Sequence, residues 1–512
     1  MRVGKAGLFG LCLAVAGRLG CGAAVAADLP KKSASDQQWE AGAVHADITR
    51  YVLQAPAKLY LPVPGDVPAL KRAFPRGLFP DVGSGLAFKG RGKGYLEFYG
   101  ITDRGANSDG PGKVVNPAGA GSKFFPLADF HPSYGLIRVT EQSATLLSLQ
   151  PLVDAQGHKP TGLPPPGRGK GPVEEVPLTG AMRFDATRAT FDPLGLDTEA
   201  IVVDAARKAL WVSDEYGPYI LKVEPQSGRI LEWLRPGEGP RDLPSVLGSR
   251  RANRGLENLA LEASTGHLHG ALQSPIDPLD ANGKSLQATP PGGKPVDVKH
   301  AAKFIRWINY DPATGRSILH AYPVDGSLYE KGRTGAAKVG DITSLGDGRF
   351  LAIEQGSRAA DGHTQNWLMR VEIPSTATDI TAFGADLEVS SITGSAVNGA
   401  DWSQVTPLRK TKLFDLNQAG WNAEKAEGLA LVDAHTIALV NDNDFGIRTA
   451  LVDGEGKELE GSIGDCTLDA TAGTLTACAT KSAVSARVVP ARGPGTDVEF
   501  WLIRFDRDLT GP

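Results

Sequence analysis

Short apolar runs joined by polar turns recur along this chain, and the clearest pair lies within residues 195–218. Residues 200–203 and 210–212 are apolar and rich in β-branched side chains, and a polar segment suited to a turn separates them. Two short runs of this composition around a turn predict a β-hairpin.

Three carboxylates mark one end of this predicted hairpin. Glu199 lies where the first strand begins, and Asp214 and Glu215 lie where the second strand ends. In an antiparallel pair, the start of one strand lies beside the end of its partner. We therefore expect the three carboxylates to lie close together.

The same hairpin pattern occurs four more times, at residues 83–105, 255–275, 339–356 and 426–446. Polar residues again mark the start of the first strand and the end of the second, and in the clearest copies they are 13 to 16 positions apart. The starts carry Ser84, Glu257, Asp341 and Glu427, and the ends carry Asp103 with Arg104, Gln273, Glu354, and Asn441 with Asp442. Five copies of one unit, each with polar groups at the same end, indicate an internal repeat.

A second pair of predicted strands follows most of these hairpins, which gives units of four strands. Repeated four-stranded units favour an all-β fold, the β-propeller, over a sandwich. Five blades are recognisable, and a sixth has room only in the irregular stretches 28–80, 105–193 and 374–420. The last unit has one clear strand after its hairpin, at 498–505. We expect the strand at 44–53 to complete that blade and close the ring.

The first 26 residues have the features of a secretory signal peptide. Arg2 and Lys5 precede an apolar run, and a small-residue cleavage site follows at 24–26. Arg18 disfavours a lipoprotein signal at Cys21. No later stretch approaches the ~20 apolar residues that a transmembrane helix needs. These features predict a periplasmic or secreted protein.

The chain then divides into the signal peptide at 1–26, an N-terminal arm with the ring-closing strand at 27–80, and the propeller domain at 81–512. The signal peptide holds three basic residues and no acidic one, so its removal changes the formal charge from −4 to −7. This balance argues against nucleic acid or an anionic membrane as a partner.

Two cysteines remain after removal of the signal peptide, Cys466 and Cys478. An even pair in an exported protein predicts a disulfide. The alternative is a shared zinc ion, but no further ligands of suitable spacing lie nearby in the sequence.

The marked hairpin ends would converge at one mouth of the central channel, because the first strand of each blade lines it. Carboxylates crowded in this way either acquire raised pKa values or bind a cation. Oxygen ligands of this kind suit Ca²⁺, with Mg²⁺ as a second possibility. The candidate metal ligands are Asp103, Glu199, Glu257, Asp341, Glu354, Glu427 and Asp442.

The alternative role for these acids is structural, since a carboxylate that accepts bonds from backbone amides can join one blade to its neighbour. Arg104 has two roles open as well: it could hold an anionic substrate at the rim or form an ion pair with a neighbouring acid. The candidate catalytic residues are Glu199, Asp214, Glu215 and Arg104.

Several of these segments resemble the phytase-like, "esterase-like activity of phytase" family. They include DTEAIVVD with LWVSDEYGP, GLENLAL with ALQSP, GDGRFL at 346–351, and EGLALVDAHTIALVNDNDFG. The resemblance covers roughly residues 83–505 and implies a secreted propeller with phosphoesterase activity on a small anionic substrate. Asp341 and Asn258 stand where the family pattern favours Glu and Gly.

Three functions need the same collar of acids. The first is an exported metal-dependent phosphoesterase with its site at the channel mouth. The second is a non-catalytic propeller that binds a ligand or a protein partner, and the third is a lactonase-type propeller hydrolase. A phosphate ion bound beside a metal would favour the first, and acids that are all paired to backbone would favour the second.

Overall fold

The computed structural model describes residues 29–65, 67–115, 121–167, 175–179 and 191–511. The predicted signal peptide lies outside these residues. Strands dominate the described chain, in agreement with the all-β prediction, and the α-helices in it are short: α1 (Pro68–Ala73), α2 (Val298–Ala301) and α3 (Asp386–Thr393). None of the helices in the described ranges is long and apolar enough to cross a membrane.

The strands, in chain order, are β1 (Lys31–Trp39), β2 (Gly42–Gln54), β3 (Gly85–Gly92), β4 (Tyr95–Ile101), β5 (Ser108–Asp109), β6 (Lys113–Val115), β7 (Ser122–Phe124), β8 (Ser133–Val139), β9 (Ala144–Pro151), β10 (Val176–Leu178), β11 (Thr198–Asp204), β12 (Ala209–Asp214), β13 (Tyr219–Val223), β14 (Ile230–Leu234), β15 (Pro236–Gly237), β16 (Leu243–Pro244), β17 (Ala260–Glu262), β18 (His267–Ala271), β19 (Gln287–Ala288), β20 (Val296–Asp297), β21 (Phe304–Tyr310), β22 (Ser317–Pro323), β23 (Lys338–Gly346), β24 (Arg349–Ser357), β25 (Thr364–Glu372), β26 (Arg409–Asp415), β27 (Gly428–Asp433), β28 (Thr436–Val440), β29 (Ile447–Val452), β30 (Glu458–Leu459), β31 (Thr467–Asp469), β32 (Thr474–Thr476), β33 (Ser485–Pro490) and β34 (Glu499–Phe505).

Three of the predicted hairpins form the first half of separate four-stranded antiparallel sheets. These sheets have the orders β11-β12-β13-β14, β17-β18-β21-β22 and β23-β24-β25-β26. Each second strand is buried on both faces, since its sheet lies between two neighbours. All six residues of β12, for example, are buried. Such strands carry continuous apolar runs rather than an alternation.

The remaining two hairpins belong to one larger sheet that contains two groups of four strands, β3-β4-β8-β9 and β27-β28-β34-β2. A short parallel pairing of Leu53 with Ala144 and of Gln54 with Thr145 links the groups. The N-terminal β2 pairs antiparallel with the C-terminal β34, from Ala46 opposite Phe505 to Val52 opposite Glu499. Strand β1 adds to the outer side of β2.

The first strands of the five groups lie next to one another around a common centre. Strand β3 lies against β11 and β27, β23 lies against β17 and β27, and β11 lies against β17. Sheets arranged radially around their first strands make the domain propeller-like. Aromatic side chains fill the spaces between sheets, and Trp211, Trp307 and Trp501 are completely buried.

A smaller β-region interrupts the group formed by β27, β28, β34 and β2. Between β28 and β34, the chain forms β29 to β33, of which β31 pairs in parallel with β6. Cys466 and Cys478 lie in this region and form a disulfide, so the predicted pairing is confirmed.

Candidate functional site

The hairpin register places the marked ends together, as the antiparallel pattern predicts. Thr198 pairs with Asp214, so Glu199 lies beside the end of β12. The loops at this end of the first strands enclose a cavity of about 410 Å³. Its lining includes seven of the predicted site residues: Asp103, Arg104, Glu199, Glu215, Glu257, Glu427 and Asp442.

Carboxylate oxygens in this cavity form three groups, and the oxygens within each group lie within 4.8 Å of one another. One group joins Glu199, Glu257 and Glu427, which lie in or just before the first strands β11, β17 and β27. The other groups are Asp197 with Glu199 and Glu215, and Asp103 with Asp442 and Asp444. Glu199 belongs to two groups and therefore lies at the centre of the acidic cluster.

Several of these carboxyl groups have pKa values above their ordinary range. Burial is the main cause for Glu199, and the neighbouring Glu257 and Asp197 add to it. Burial and Glu257 act in the same way on the pKa of Glu215. The pKa of Glu427 is also raised by burial, although Lys425 opposes the shift. Each of these groups thus lacks enough positive charge around it to ionise readily.

Three of the acidic side chains have a buried oxygen without a hydrogen-bond partner in the described part of the chain: Asp197 Oδ2, Glu215 Oε1 and Glu257 Oε2. A buried carboxylate oxygen without a partner is costly. A hard divalent cation, which coordinates carboxylate oxygens from several directions, would satisfy them. The donor set therefore fits a metal ion.

Lys425 supplies a positive charge at one side of the cluster. Its Nζ lies 2.6 Å from Asp442 Oδ2, 3.2 Å from Asp444 Oδ1 and 3.7 Å from Glu427 Oε1. Burial alone would raise the pKa of Asp442, but Lys425 and a hydrogen bond with Asp81 hold it below its ordinary value. The pKa of Asp81 is raised, by burial and by Asp442, so Asp81 serves as the protonated partner.

Arg104 is also buried in this cavity and pairs with acids. Its Nη1 lies 3.0 Å from Glu175 Oε2 and 3.6 Å from Asp197 Oδ2, and it donates to Asn253 Oδ1 at 2.7 Å. Its backbone amide also donates to Asp197 Oδ1 at 3.1 Å. Of the two roles open for Arg104, the ion pair is the one present in this structure.

Asp214, Asp341 and Glu354 lie outside the cavity lining. Asp214 accepts hydrogen bonds from the backbone amides of Asp197 and Gly217. Asp341 accepts from the amides of Ile342 and Leu429 at 2.9 Å, and from Leu86 at 3.5 Å. These amides belong to β23, β27 and β3, so the Asp341 carboxylate joins three central strands.

Glu354, in β24, is completely buried and has other partners. The hydroxyl groups of Tyr322 and Tyr329 each donate to it at 2.5 Å, and Lys410 Nζ lies 2.5 Å from Oε2. Its two carboxylate oxygens are therefore engaged by donors from β22, the following loop and β26.

Basic residues share the same cavity with the acids, and the sequence interpretation missed them. Arg251, Arg254 and Lys338 line it together with Lys123 and Lys425. The pKa of Lys338 is lowered to about 8, mainly by the nearby Arg254 and then by burial. Two features of the sequence could have indicated these basic residues. They are the basic run before the 255–275 hairpin and the lysine at the first position of β23.

Residues 84–445 match the phytase-like family described as esterase-like activity of phytase. The chain belongs to this family. The match spans all five marked hairpins, from Ser84 to Phe445, and therefore includes every group of acids described above.

Several solved structures show a distant similarity to this phytase-like protein. Hydrazine synthase from Kuenenia stuttgartiensis is 12% identical over 60% of this chain and 80% of its own, with a TM-score of 0.22. A protein from Lactobacillus plantarum is 10% identical over 90% and 100% of the two chains, with a TM-score of 0.27. The GH43 protein BlXynB from Bacillus licheniformis is 9% identical over 93% and 97%, with a TM-score of 0.27. Such low scores support no argument about function, and no curated protein matches the sequence.

Proposed function

We propose that this phytase-like protein is an exported, metal-dependent phosphoesterase with its site in the acidic cavity. The observation that carries the proposal is the combination, in one cavity, of buried carboxylate oxygens that accept no hydrogen bond from the described residues with lysine and arginine side chains. Acids alone would suit a cation, and bases alone would suit an anion. Both together suit a phosphate group held beside a divalent cation.

The cation would be held by Glu199, Glu257 and Glu427, with Glu215 and Asp197 next to it. When bound, it would polarise a phosphoryl oxygen and lower the pKa of a water molecule. Ca²⁺ is our first choice because carboxylates from several strands suit its flexible coordination, and Mg²⁺ is the second.

The chain's own basic residues would orient the substrate. Arg254 and Lys338 would bind phosphate oxygens, and the lowered pKa of Lys338 shows how strongly a nearby negative charge would be favoured there. Arg104 holds Asp197 and Glu175 in place through its ion pairs. Glu215 lies in the same group as Glu199, so its carboxylate is the candidate to accept a proton from the attacking water.

Asp341, Glu354 and Asp214 were candidates for metal binding or catalysis from sequence, and we leave them out of the proposed site. Their carboxylates already accept bonds from backbone amides, tyrosine hydroxyls or a lysine. We assign them the structural role that the sequence left open.

The other parts of the proposal concern architecture and location. We propose five blades, because five first strands neighbour one another around the centre. The signal-like residues 1–26 and the disulfide between Cys466 and Cys478 support export to the periplasm or beyond.

Turnover of an aryl phosphate by the mature protein tests the proposal. We expect phosphate release in the presence of Ca²⁺, loss of release after chelation, and recovery when Ca²⁺ or Mg²⁺ is restored. Glu199→Gln should abolish release, whereas Glu141→Gln, a matched change at an exposed turn, should not. Calcium binding without turnover on phosphoesters would replace the enzyme with a binding propeller, and turnover on lactones alone would favour the lactonase-type alternative.

A further inference from the structure

Gln273 occupies the position in the β17–β18 hairpin that Glu215 occupies in the β11–β12 hairpin. The backbone amide of Glu215 donates to the Asp197 backbone oxygen at 2.8 Å, and that of Gln273 donates to the Gly255 backbone oxygen at 2.8 Å. In each hairpin, the acceptor lies two positions before the marked acid at the start of the first strand. The two side chains are therefore equivalent, and both belong to the lining of the candidate site.

These equivalent side chains differ in charge. Glu215 is a buried acid, and one of its oxygens accepts no hydrogen bond from the described residues. Gln273 is buried as well, but its amide is neutral, and the amide oxygen accepts a hydrogen bond from Arg254 Nη1. The hairpin that contains Glu257 thus places an uncharged acceptor where its neighbour places a carboxylate.

Arg254 keeps its charge uncompensated in this arrangement. Among the described residues, its side chain donates to the neutral amide of Gln273 and forms no ion pair with a carboxylate. The pKa of Lys338 is lowered to about 8, first by Arg254 and then by burial. The guanidinium charge therefore acts across the cavity rather than being cancelled by an adjacent acid.

Gln273 is held in place on several sides. Its backbone oxygen accepts a hydrogen bond from the amide of Val339 at 2.9 Å. Burial raises the pKa of Glu257, and Lys338 and a hydrogen bond with the Gln273 side chain oppose that rise. Because the amide oxygen faces Arg254, the bond to Glu257 comes from the amide nitrogen. One neutral side chain thus connects an acid of the proposed cation site with a base of the proposed phosphate site.

We infer that Gln273 is a positioning residue, which fixes Arg254 beside the acids and leaves the guanidinium charge available to a phosphate group. The identity of that group rests on the proposed phosphoesterase function. A carboxylate in place of this amide would form a charge-assisted pair with Arg254 and would add a negative charge to the acidic cluster. The amide therefore sets the balance between affinity for the cation and affinity for phosphate.

Gln273→Glu tests this role, since it adds a charge with almost no change in volume. In calorimetry, we expect the calcium-loaded variant to bind inorganic phosphate about tenfold more weakly, and the calcium-free variant to bind Ca²⁺ about tenfold more tightly. The KM for an aryl phosphate should rise by a similar factor while kcat changes little, because the lost interaction is one of substrate binding. Damage to the fold would weaken the binding of both ligands instead.

Two further variants separate the effect of charge from the effect of contact. Gln273→Met has a similar length but no amide, so it should weaken phosphate binding less than Gln273→Glu does and leave calcium affinity unchanged. Gln142→Glu, the same substitution at an exposed turn, should change neither affinity.

Weaker phosphate binding in Gln273→Glu without a loss of calcium affinity supports the inference. Unchanged or stronger phosphate binding, or weaker binding of both ligands, overturns it. If the glutamate variant does not fold, wild-type phosphate affinity in Gln273→Met overturns it as well.

The two proposals can fail separately. The expected shifts in affinity without phosphate release would support the role of Gln273 and overturn the enzyme. Phosphate release with the same KM in the wild type and in Gln273→Glu would keep the enzyme and overturn the inference. Absence of phosphate binding by the wild type would overturn both.

Discussion

Lys425 Nζ lies 2.6 Å from Asp442 Oδ2, inside the cavity where the carboxylates converge. The ammonium group also approaches Asp444 and Glu427, so it compensates three acids at once. A fixed lysine in this position stabilises the metal-free protein, and it also competes with a divalent cation for the same oxygens.

Replacement of this lysine should therefore destabilise the calcium-free protein and strengthen its binding of calcium. Lys425→Gln should lower the free energy of unfolding in chelator by several kcal/mol, since buried charges lose their partner. It should also tighten calcium binding, because the competing charge is gone. Denaturant unfolding in chelator and calorimetric calcium titration measure the two effects.

Lys89→Gln is the control for this change, since Lys89 pairs with Glu97 on the surface at 2.9 Å and should contribute at most about 1 kcal/mol. Weaker calcium binding in Lys425→Gln would contradict the competition between lysine and cation.

Asp341 offers a test of the structural role assigned to acids outside the cavity. Asp341→Ala leaves buried amides of Leu86, Ile342 and Leu429 without their acceptor. An unmet buried donor costs about 1–3 kcal/mol, so we expect a loss of at least about 3 kcal/mol in denaturant unfolding.

Asp341→Asn keeps one acceptor oxygen and serves if the alanine variant does not fold, while Asp47→Ala at an exposed site is the control. Both Asp341 variants should bind calcium with the affinity of the wild type. Loss of calcium binding at unchanged stability in chelator would show instead that Asp341 is a ligand.

The repeat pattern was sufficient to predict the hairpins and the collar that they form. Glu199, Glu257 and Glu427 converge because equivalent strand ends in equivalent units face one centre. The copy at 339–356 departs from this rule: its marked residues, Asp341 and Glu354, are 13 positions apart, the shortest separation. In the structure, Glu354 pairs across from Val339, and Lys338 occupies the start of the strand.

Other parts of the site could not be read from the repeats. Asp81 and Asp197 precede the first strands of their hairpins, and their roles depend on contacts with other sheets, such as Asp81 with Asp442. The basic side of the candidate site combines Arg251 and Arg254 with Lys338, which is far from them in sequence. The packing of the β17 and β23 sheets against each other brings these charges together, and no local pattern encodes it.

The raised pKa values predict how the stability of the calcium-free protein depends on pH. Glu199 has a higher pKa in the folded state than in the unfolded state, mainly because of burial. Above the unfolded-state value, near 4.5, the folded protein then binds more protons, so its stability falls as pH rises. For one such group, the fall is at most about 1.4 kcal/mol per pH unit.

Comparison with Glu199→Gln isolates this contribution from histidines and other acids. Between pH 5 and 7.5, roughly the range just above ordinary carboxyl pKa values, the wild type in chelator should lose more stability than the variant. Denaturant unfolding at several pH values provides the measurement. Parallel pH profiles for the two proteins would show that Glu199 is ionised at no cost in the folded state.

Calcium should offset the repulsion among the clustered carboxylates and so stabilise the wild type. If the cation binds only the folded state, stability rises by ~2.7 kcal/mol at a free concentration a hundredfold above the dissociation constant. Chelation should therefore lower the melting temperature, and added Ca²⁺ should restore it.

In Glu199→Gln, which loses one charge with little change in volume, most of this calcium-dependent shift should disappear. Glu141→Gln should retain the full shift, because Glu141 lies at an exposed turn outside the cavity lining. A melting temperature that responds equally to calcium in both variants would place the cation elsewhere, and one that does not respond in the wild type would leave the acids with a purely structural role.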